Sequence, residues 1–182
     1  YTHLRNGLTG IPNAMAIGAT WEAENARIVG EIVGRELDAL GVNMLLGPSL
    51  DVLDRPRPER PSDLGTRSFG GDPYWVGVMG QAYIQGVHEG SAGRVSTVAK
   101  HFPGLGESDR RINQEVALVQ KSLEEVKQVE LVPFFAVTHR EDGNPLGVTD
   151  ALMTGHVRFR FQGIRMNVRP FSFDAEAMHE LM

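Results

Sequence analysis

The 182 residues of this chain suit one domain, and a hydrophobic content of 41% is enough for a packed core. The net charge is −5 and the 18 Lys and Arg are scattered, so no basic stripe indicates nucleic-acid binding. The absence of cysteine excludes disulfides and thiolate metal sites, and no apolar stretch approaches the ~20 residues of a membrane span.

The first half of the chain alternates helical and strand-like patterns. The sequence predicts a helix over 20–40, with Thr20 as its N-cap, a short apolar strand over 42–47 and a polar loop over 54–71. Asp72 and Pro73 are typical of a helix start, and that helix is expected to reach residue 89. Apolar residues at helical spacing predict the buried stripe of the first helix: Ile28, Ile32, Val33, Leu37 and Leu40.

The segment 95–106 is the most informative part of the sequence. Its β-branched residues favour a strand that ends in Lys100 and His101, and Pro103 with the neighbouring glycines cannot continue that strand. A cation and an imidazole are therefore predicted at the carboxyl end of a buried strand. In α/β proteins, ligands bind at that end.

The second half of the chain continues the alternation. A polar loop over 104–120 precedes a helix over 122–138, which opens with a capping box and is expected to kink at Pro133. A buried strand over 147–156 then ends in His156. A last helix is predicted to begin at Ser172 or Asp174.

Strands that alternate with helices predict a parallel sheet and an α/β fold class. Each of the three strands precedes a long or polar loop, which favours a TIM (β/α)₈ barrel over a doubly wound sheet, because no phosphate-binding glycine fingerprint follows any strand. Three strands are about half of the units of such a barrel. We expect residues 1–182 to be a fragment of a single barrel domain, cut at both ends.

Four segments resemble the N-terminal barrel of glycoside hydrolase family 3. They are 100–106 (Lys-His-Phe-Pro-Gly-Leu-Gly), 64–73, 11–18 and 41–52. That family contains β-glucosidases and β-N-acetylglucosaminidases, and the Arg-Ser-Phe-Gly form of the second segment leans toward the latter branch. The resemblance covers essentially the whole chain, including 122–125 and 153–156 in the expected order.

The resemblance implies a retaining glycosidase acting on terminal β-linked glucosyl or N-acetylglucosaminyl residues. Carried over by motif, Arg67, Lys100 and His101 would bind hydroxyls of the sugar next to the scissile bond. Further domains of the same chain are expected. The family's aspartate nucleophile is expected beyond Met182, so no catalytic residue is assigned within this segment and the fragment alone is expected to be inactive.

Three further residues are secondary candidates. Asp51 follows a strand directly and is expected to touch substrate or to tie neighbouring loops together, and His156 ends a strand on the same presumed face. The N-acetylglucosaminidase branch supplies a His general acid from an Asp-Ser-His stretch, but this sequence reads Arg-Ile-Asn over 111–113. Asp109 could act as a substitute acid if burial raised its pKa.

Two other interpretations remain open. The fold could be a non-catalytic carbohydrate-binding barrel, or Lys100 could form a Schiff base as in lyases and aldolases. A metal site could be drawn from His101, His156 and Asp51. The three residues follow no known spacing of metal ligands, so the evidence for such a site is weak and neither a metal nor a cofactor is expected. The absence of cysteine is compatible with a secreted, a periplasmic or a cytoplasmic location.

Overall fold

Helices and parallel strands alternate along the chain in the computed structural model, which describes residues 7–55, 64–106, 108, 116–139, 144–159 and 169–182. The helices are α1 (Ala14–Gly18), α2 (Ala23–Ala39), α3 (Pro73–Ser91), α4 (Leu123–Glu125), α5 (Val132–Thr138) and α6 (Ala175–Leu181). The strands are β1 (Met44–Leu45), β2 (Ser96–Phe102), β3 (Ala117–Val119), β4 (Ala151–Thr154) and β5 (Val157–Phe159). The predicted α/β class is therefore confirmed.

The main sheet has three parallel strands in the order β1-β2-β4. Met44 lies opposite Ser96, and Val98 lies opposite Ala151. Because the strands are parallel, their carboxyl ends share one edge of the sheet, and the loops that follow them meet there. This edge carries Lys100 and His101 at the end of β2.

A second, two-stranded parallel sheet joins β3 to β5, with Leu118 opposite Arg158. The sequence predicted loops at both positions. Each strand has only three residues, and their buried residues are two apart, which is too short a pattern to identify a strand without its partner. The sequence also gave no prediction of α1, because a helix of five residues is too short to show a helical pattern.

Helix caps agree with the sequence at three starts. The Asp72 carboxylate accepts a hydrogen bond from the Trp75 amide at 3.0 Å, and Asp174 caps α6 in the same way. Ser122 and Glu125 form the predicted capping box, with each side chain bonded to the other residue's amide. These caps are local, so the sequence is sufficient to find them.

The helix predicted over 122–138 is interrupted. A π-helical turn at Val126–Glu130 separates α4 from α5, and Pro133 lies in the first turn of α5. Proline is tolerated there because the first amides of a helix have no partner within it. The sequence predicted a kink or an early end at Pro133, whereas the interruption lies before the proline.

The buried stripe predicted for α2 is partly wrong. Ile28 is 42% exposed and Leu40 is 55% exposed. The face that packs inward is made largely of small residues: Ala26, Val29, Gly30, Val33, Gly34 and Leu37. The predicted N-cap is also wrong, because Thr20 donates its hydroxyl to the Ile17 carbonyl at the end of α1 and α2 begins three residues later.

Small residues on α2 allow its backbone to touch that of α3. A Cβ atom added to Gly34 would lie 2.2 Å from the Val87 carbonyl oxygen, and one added to Gly86 would lie 2.0 Å from the Arg27 carbonyl oxygen. Such distances are far below van der Waals contact, so only glycine fits at these crossings. The two helices therefore form a tightly packed layer over the sheet.

Among the described residues, no helix is both long enough and apolar enough to cross a membrane.

Replacing Gly86 with alanine should destabilise the protein even though alanine is the better helix former. The intrinsic preference favours alanine by about 1 kcal/mol. The clash with the Arg27 carbonyl requires the helices to separate, which we expect to cost about 2 kcal/mol net. Thermal unfolding measures the difference. Gly10→Ala is the control, because a Cβ at Gly10 meets nothing within 4 Å; equal melting temperatures for both variants would contradict the close helix contact.

Candidate functional site

A cavity of about 500 Å³ opens at the carboxyl edge of β1 and β2. Its wall is formed by the segment before and within α1 (8–14), the loop after β1 (45–49), the 3₁₀ turn that contains Arg67, and the end of β2. Arg67, Lys100 and His101, predicted from two motifs to share a ligand, all line this one cavity. The structure therefore brings them together.

Lys100 is half-buried in the wall of the cavity. Its Nζ donates a hydrogen bond to the Leu46 carbonyl at 2.6 Å, which orients the ammonium group. The pKa of Lys100 is lowered, first because burial disfavours its charged form and then because the Arg67 guanidinium is close; the Asp51 carboxylate opposes the shift. The cavity wall thus concentrates positive charge, and none of its lining residues that the structure describes is Asp or Glu.

His101 is held by the buried carboxylate of Asp51. The Nδ1–H of His101 donates to Asp51 Oδ2 at 2.8 Å, so Nε2 is the ring nitrogen that this pair leaves for other partners. The His101 side chain is 17% exposed and that of Asp51 is fully buried. A carboxylate in this position fixes both the ring orientation and the tautomer of the histidine.

Asp51 also ties the neighbouring loops together. Its carboxylate accepts hydrogen bonds from the Ser49 hydroxyl at 2.6 Å and from the Leu105 amide at 2.7 Å, while its main-chain carbonyl accepts one from Ser68. Burial alone would raise the pKa of Asp51, but the contacts with His101, Ser49 and Leu105 outweigh it and the pKa falls below its usual value. Of the two roles expected for Asp51, the structure supports that of tying loops, since Asp51 is not among the lining residues.

The other secondary candidates do not join this group. His156 is exposed, its Nδ1 lies 2.8 Å from the Ser172 hydroxyl, and its ring packs edge-on against Phe173. It is not among the residues that line the cavity. Asp109 and the stretch 111–113 lie outside the described residues. No three His, Asp or Glu side chains within the described ranges are grouped as metal ligands.

Sequence reasoning missed several polar groups of the cavity wall. Asn13 lines the cavity and also accepts a hydrogen bond from the Ala16 amide, which caps α1. Thr9, Ser49, Thr66 and Tyr83 line it as well. The available signal was that Asn13, Ser49 and Thr66 each lie within one of the segments quoted for the family resemblance, although none is itself charged.

A model of the glycosyl hydrolase family 3 N-terminal domain matches residues 1–181. The chain belongs to glycosyl hydrolase family 3. A β-hexosaminidase of Pseudomonas aeruginosa is 31% identical over 180 residues, which are 98% of this chain and 48% of the relative. A probable β-glucosidase H of Emericella nidulans is 34% identical over 146 residues, 80% of this chain and 16% of the relative.

Among solved structures, a family 3 β-N-acetylglucosaminidase from a Paenibacillus species superposes with a TM-score of 0.75 at 36% identity. The match covers 86% of this chain and 27% of that one. This likeness confirms the predicted partial (β/α)₈ barrel. The chain spans about half the length, 48%, of the Pseudomonas aeruginosa relative that it matches.

Asp51→Asn should destabilise the protein and change the His101 tautomer. The asparagine side chain has one acceptor oxygen, so it cannot accept from both the Leu105 amide and the His101 Nδ1–H, as the two carboxylate oxygens of Asp51 do, and the loss should be about 2 kcal/mol or more at neutral pH. Because the pKa of Asp51 is lowered, its stabilising effect is present at neutral pH and fades below about pH 4. The melting-temperature gap between wild type and variant should therefore narrow in acid, and ¹⁵N NMR should show the proton moved to Nε2.

Asp38→Asn is the matched control for this experiment. Asp38 pairs with Arg94 on the surface and its pKa is likewise lowered, first through the Arg94 hydrogen bond. Exposed ion pairs contribute little, so this variant should melt near the wild type. A similar loss in both variants, or an unchanged His101 tautomer in Asp51→Asn, would contradict the role assigned to Asp51.

Proposed function

We propose that the protein containing this chain is a retaining β-glycosidase that removes terminal β-linked glucosyl or N-acetylglucosaminyl residues. In this proposal, Arg67, Lys100 and His101 bind the sugar next to the scissile bond. The observation that carries the proposal is that these three side chains, from two separate segments of the chain, line one cavity.

The chemistry of the three groups suits a sugar. Arg and Lys are donors only at neutral pH, and His101 presents the Nε2 that Asp51 does not use, so hydroxyl oxygens find fixed hydrogen-bond partners in the cavity. Contacts of this kind lower the barrier when they strengthen in the oxocarbenium-like transition state. In this proposal the three groups bind and orient the substrate, and the nucleophile is a carboxylate from elsewhere in the protein.

The nucleophile is proposed to come from sequence beyond Met182. The lining residues that the structure describes include the donors Arg67 and Lys100 and no Asp or Glu, and in this proposal they bind the substrate. The general acid is proposed to be either Asp109 or a residue from the rest of the protein.

The activities for which the relatives are named support the substrate class. The relatives include β-hexosaminidases and a probable β-glucosidase, and the solved neighbour is a β-N-acetylglucosaminidase. All three names describe cleavage of a β-linked hexose or hexosamine. The choice between glucose and N-acetylglucosamine is proposed in favour of the latter, because the Arg-Ser-Phe-Gly form at 67–70 is that of the N-acetylglucosaminidase branch.

Replacing Arg67 or Lys100 with alanine in the full-length protein should lower kcat/KM by at least ~10²-fold, or about 2.7 kcal/mol. Each change removes a charged donor from the cavity wall. Hydrolysis of 4-nitrophenyl β-glucoside and of its N-acetyl-β-glucosaminide measures the effect. Arg35→Ala and Lys127→Ala, at exposed helical positions, are the controls and should retain wild-type rates.

Wild-type kinetics in either cavity variant would contradict the site assignment. Sugar binding without turnover by the intact protein would instead indicate the non-catalytic carbohydrate-binding barrel. The isolated chain of residues 1–182, assayed in parallel, should not hydrolyse either substrate, and measurable turnover by it would place the nucleophile within this segment.

One observation favours a second candidate function, a Schiff-base lyase or aldolase. The pKa of Lys100 is lowered by burial and by Arg67, which increases the fraction of free amine available for attack on a carbonyl. The hydrogen bond from Nζ to the Leu46 carbonyl and the family membership favour the glycosidase. Reduction with borohydride in the presence of a keto sugar, followed by mass spectrometry, distinguishes them: a covalent adduct on Lys100 would support the lyase.

A further inference from the structure

A second group of charged side chains lies buried beside the loop that follows β2. Lys121 Nζ donates to Glu130 Oε1 at 2.7 Å and to the two carboxylate oxygens of Asp54 at 3.0 and 3.1 Å. Lys121 and Glu130 are 1% and 0% exposed. None of the three lines the cavity, so the proposed binding of sugar does not use them directly.

Glu130 is only half satisfied in this group. Its second oxygen, Oε2, is buried and receives no hydrogen bond from the residues that the structure describes. A buried oxygen without a donor disfavours the ionised carboxylate. Burial raises the pKa of Glu130 to about 7, against the opposing effect of Lys121 and with smaller contributions from Asp51 and Asp54. Glu130 therefore gains or loses its proton near neutral pH.

The unsatisfied oxygen faces the loop after β2. A Cβ atom on Gly104 would lie 2.4 Å from Glu130 Oε2, and Gly104 has a φ of +139°, so the loop backbone rests directly on the carboxyl group. Glu130 is the last residue of the π-helical turn, which is closed by the hydrogen bond from the Leu131 amide to the Val126 carbonyl at 2.9 Å. Such turns occur frequently at functional sites.

The loop after β2 thus lies between two buried acids. On one side Asp51 accepts from the Leu105 amide and from His101. On the other side Glu130 contacts Gly104, one residue before Leu105. Within the described part of the chain, the charged groups that act on Glu130 are Lys121, Asp51 and Asp54. A charge on Glu130 would therefore repel the carboxylate that orients His101.

We propose that Glu130 is a positioning residue of the saccharide site, which supports the Gly104 turn and thereby the Lys100–His101 pair when its carboxyl group is protonated. This inference rests on the function proposed above. Loss of the proton places a negative charge against the Gly104 backbone and beside Asp51, which loosens the loop. Substrate binding should therefore weaken as the pH rises through neutrality, with little change in the chemical step.

Steady-state kinetics of the full-length protein test this directly. The KM of the wild type for 4-nitrophenyl N-acetyl-β-glucosaminide should rise about 5-fold between about pH 6 and pH 8, while the pH step is absent in Glu130→Gln, which resembles the protonated acid. Glu130→Asp withdraws the carboxyl group from Gly104 and should raise KM at every pH. Glu124→Gln, at an exposed position of α4, is the matched control and should keep the wild-type step.

Hydrogen–deuterium exchange gives a readout that does not depend on activity. After correction for the intrinsic pH dependence of amide exchange, segment 100–106 of the wild type should exchange faster at pH 8 than at pH 6. This difference should disappear in Glu130→Gln and persist in Glu124→Gln. Glu130→Asp should exchange faster at both pH values.

The outcomes separate this inference from the proposed function. A wild-type pH step in Glu130→Gln, or a variant that changes only the melting temperature, overturns the positioning role. If the intact wild type hydrolyses no β-glycoside, the proposed function fails and exchange alone decides: pH-independent exchange of 100–106 overturns the inference, and the expected difference supports it. If Glu130→Gln does not fold, the exchange of segment 100–106 in Glu130→Asp decides. Faster exchange than in the wild type at both pH values supports the inference, and exchange equal to that of the wild type overturns it.

Discussion

The buried carboxylate of Asp51 is the contact on which the site depends. A fully buried carboxylate is tolerated only when donors surround it, and here the Ser49 hydroxyl, the His101 ring and the Leu105 amide all converge on it. Each donor lies at the carboxyl edge of the sheet, His101 at the end of β2 and Ser49 and Leu105 in the loops that follow β1 and β2. Satisfying one acid therefore fixes the loop after β1 against the loop after β2, and this sets the position of His101.

The rest of the site follows from that fixed edge. Lys100 is held by the Leu46 carbonyl close to the Arg67 guanidinium, and both burial and this neighbouring cation disfavour the charge of Lys100. In the proposed function, the Lys100 ammonium group, which Leu46 already orients, and the Arg67 guanidinium donate to the oxygen acceptors of the ligand. Val29 of α2 and Tyr83 of α3, which lie next to the close contact between these helices, also line the cavity.

The fold class and three residues of the cavity wall, Arg67, Lys100 and His101, were predicted from the sequence, but the rest of the wall was not. The segment 95–106 predicted β2 and its Lys-His end, and the motif at 64–73 predicted Arg67. The burial of α2 was predicted less well, because the pattern of large apolar side chains carries no information about backbone contacts between glycines. Polar residues such as Asn13 were overlooked since a neutral side chain in a loop gives no distinctive signal.

The sequence by itself determined the helix starts at Asp72, Ser122 and Asp174 and the Lys-His end of β2, because each depends on a few neighbouring residues. Only the tertiary structure decided which side chains meet. His101 and Asp51 pair across 50 residues, and Glu130 reaches the turn after β2 from a different helix. It also paired β3 with β5 and placed His156 outside the cavity lining. Contacts of this kind depend on how whole elements pack, and no local pattern encodes that packing.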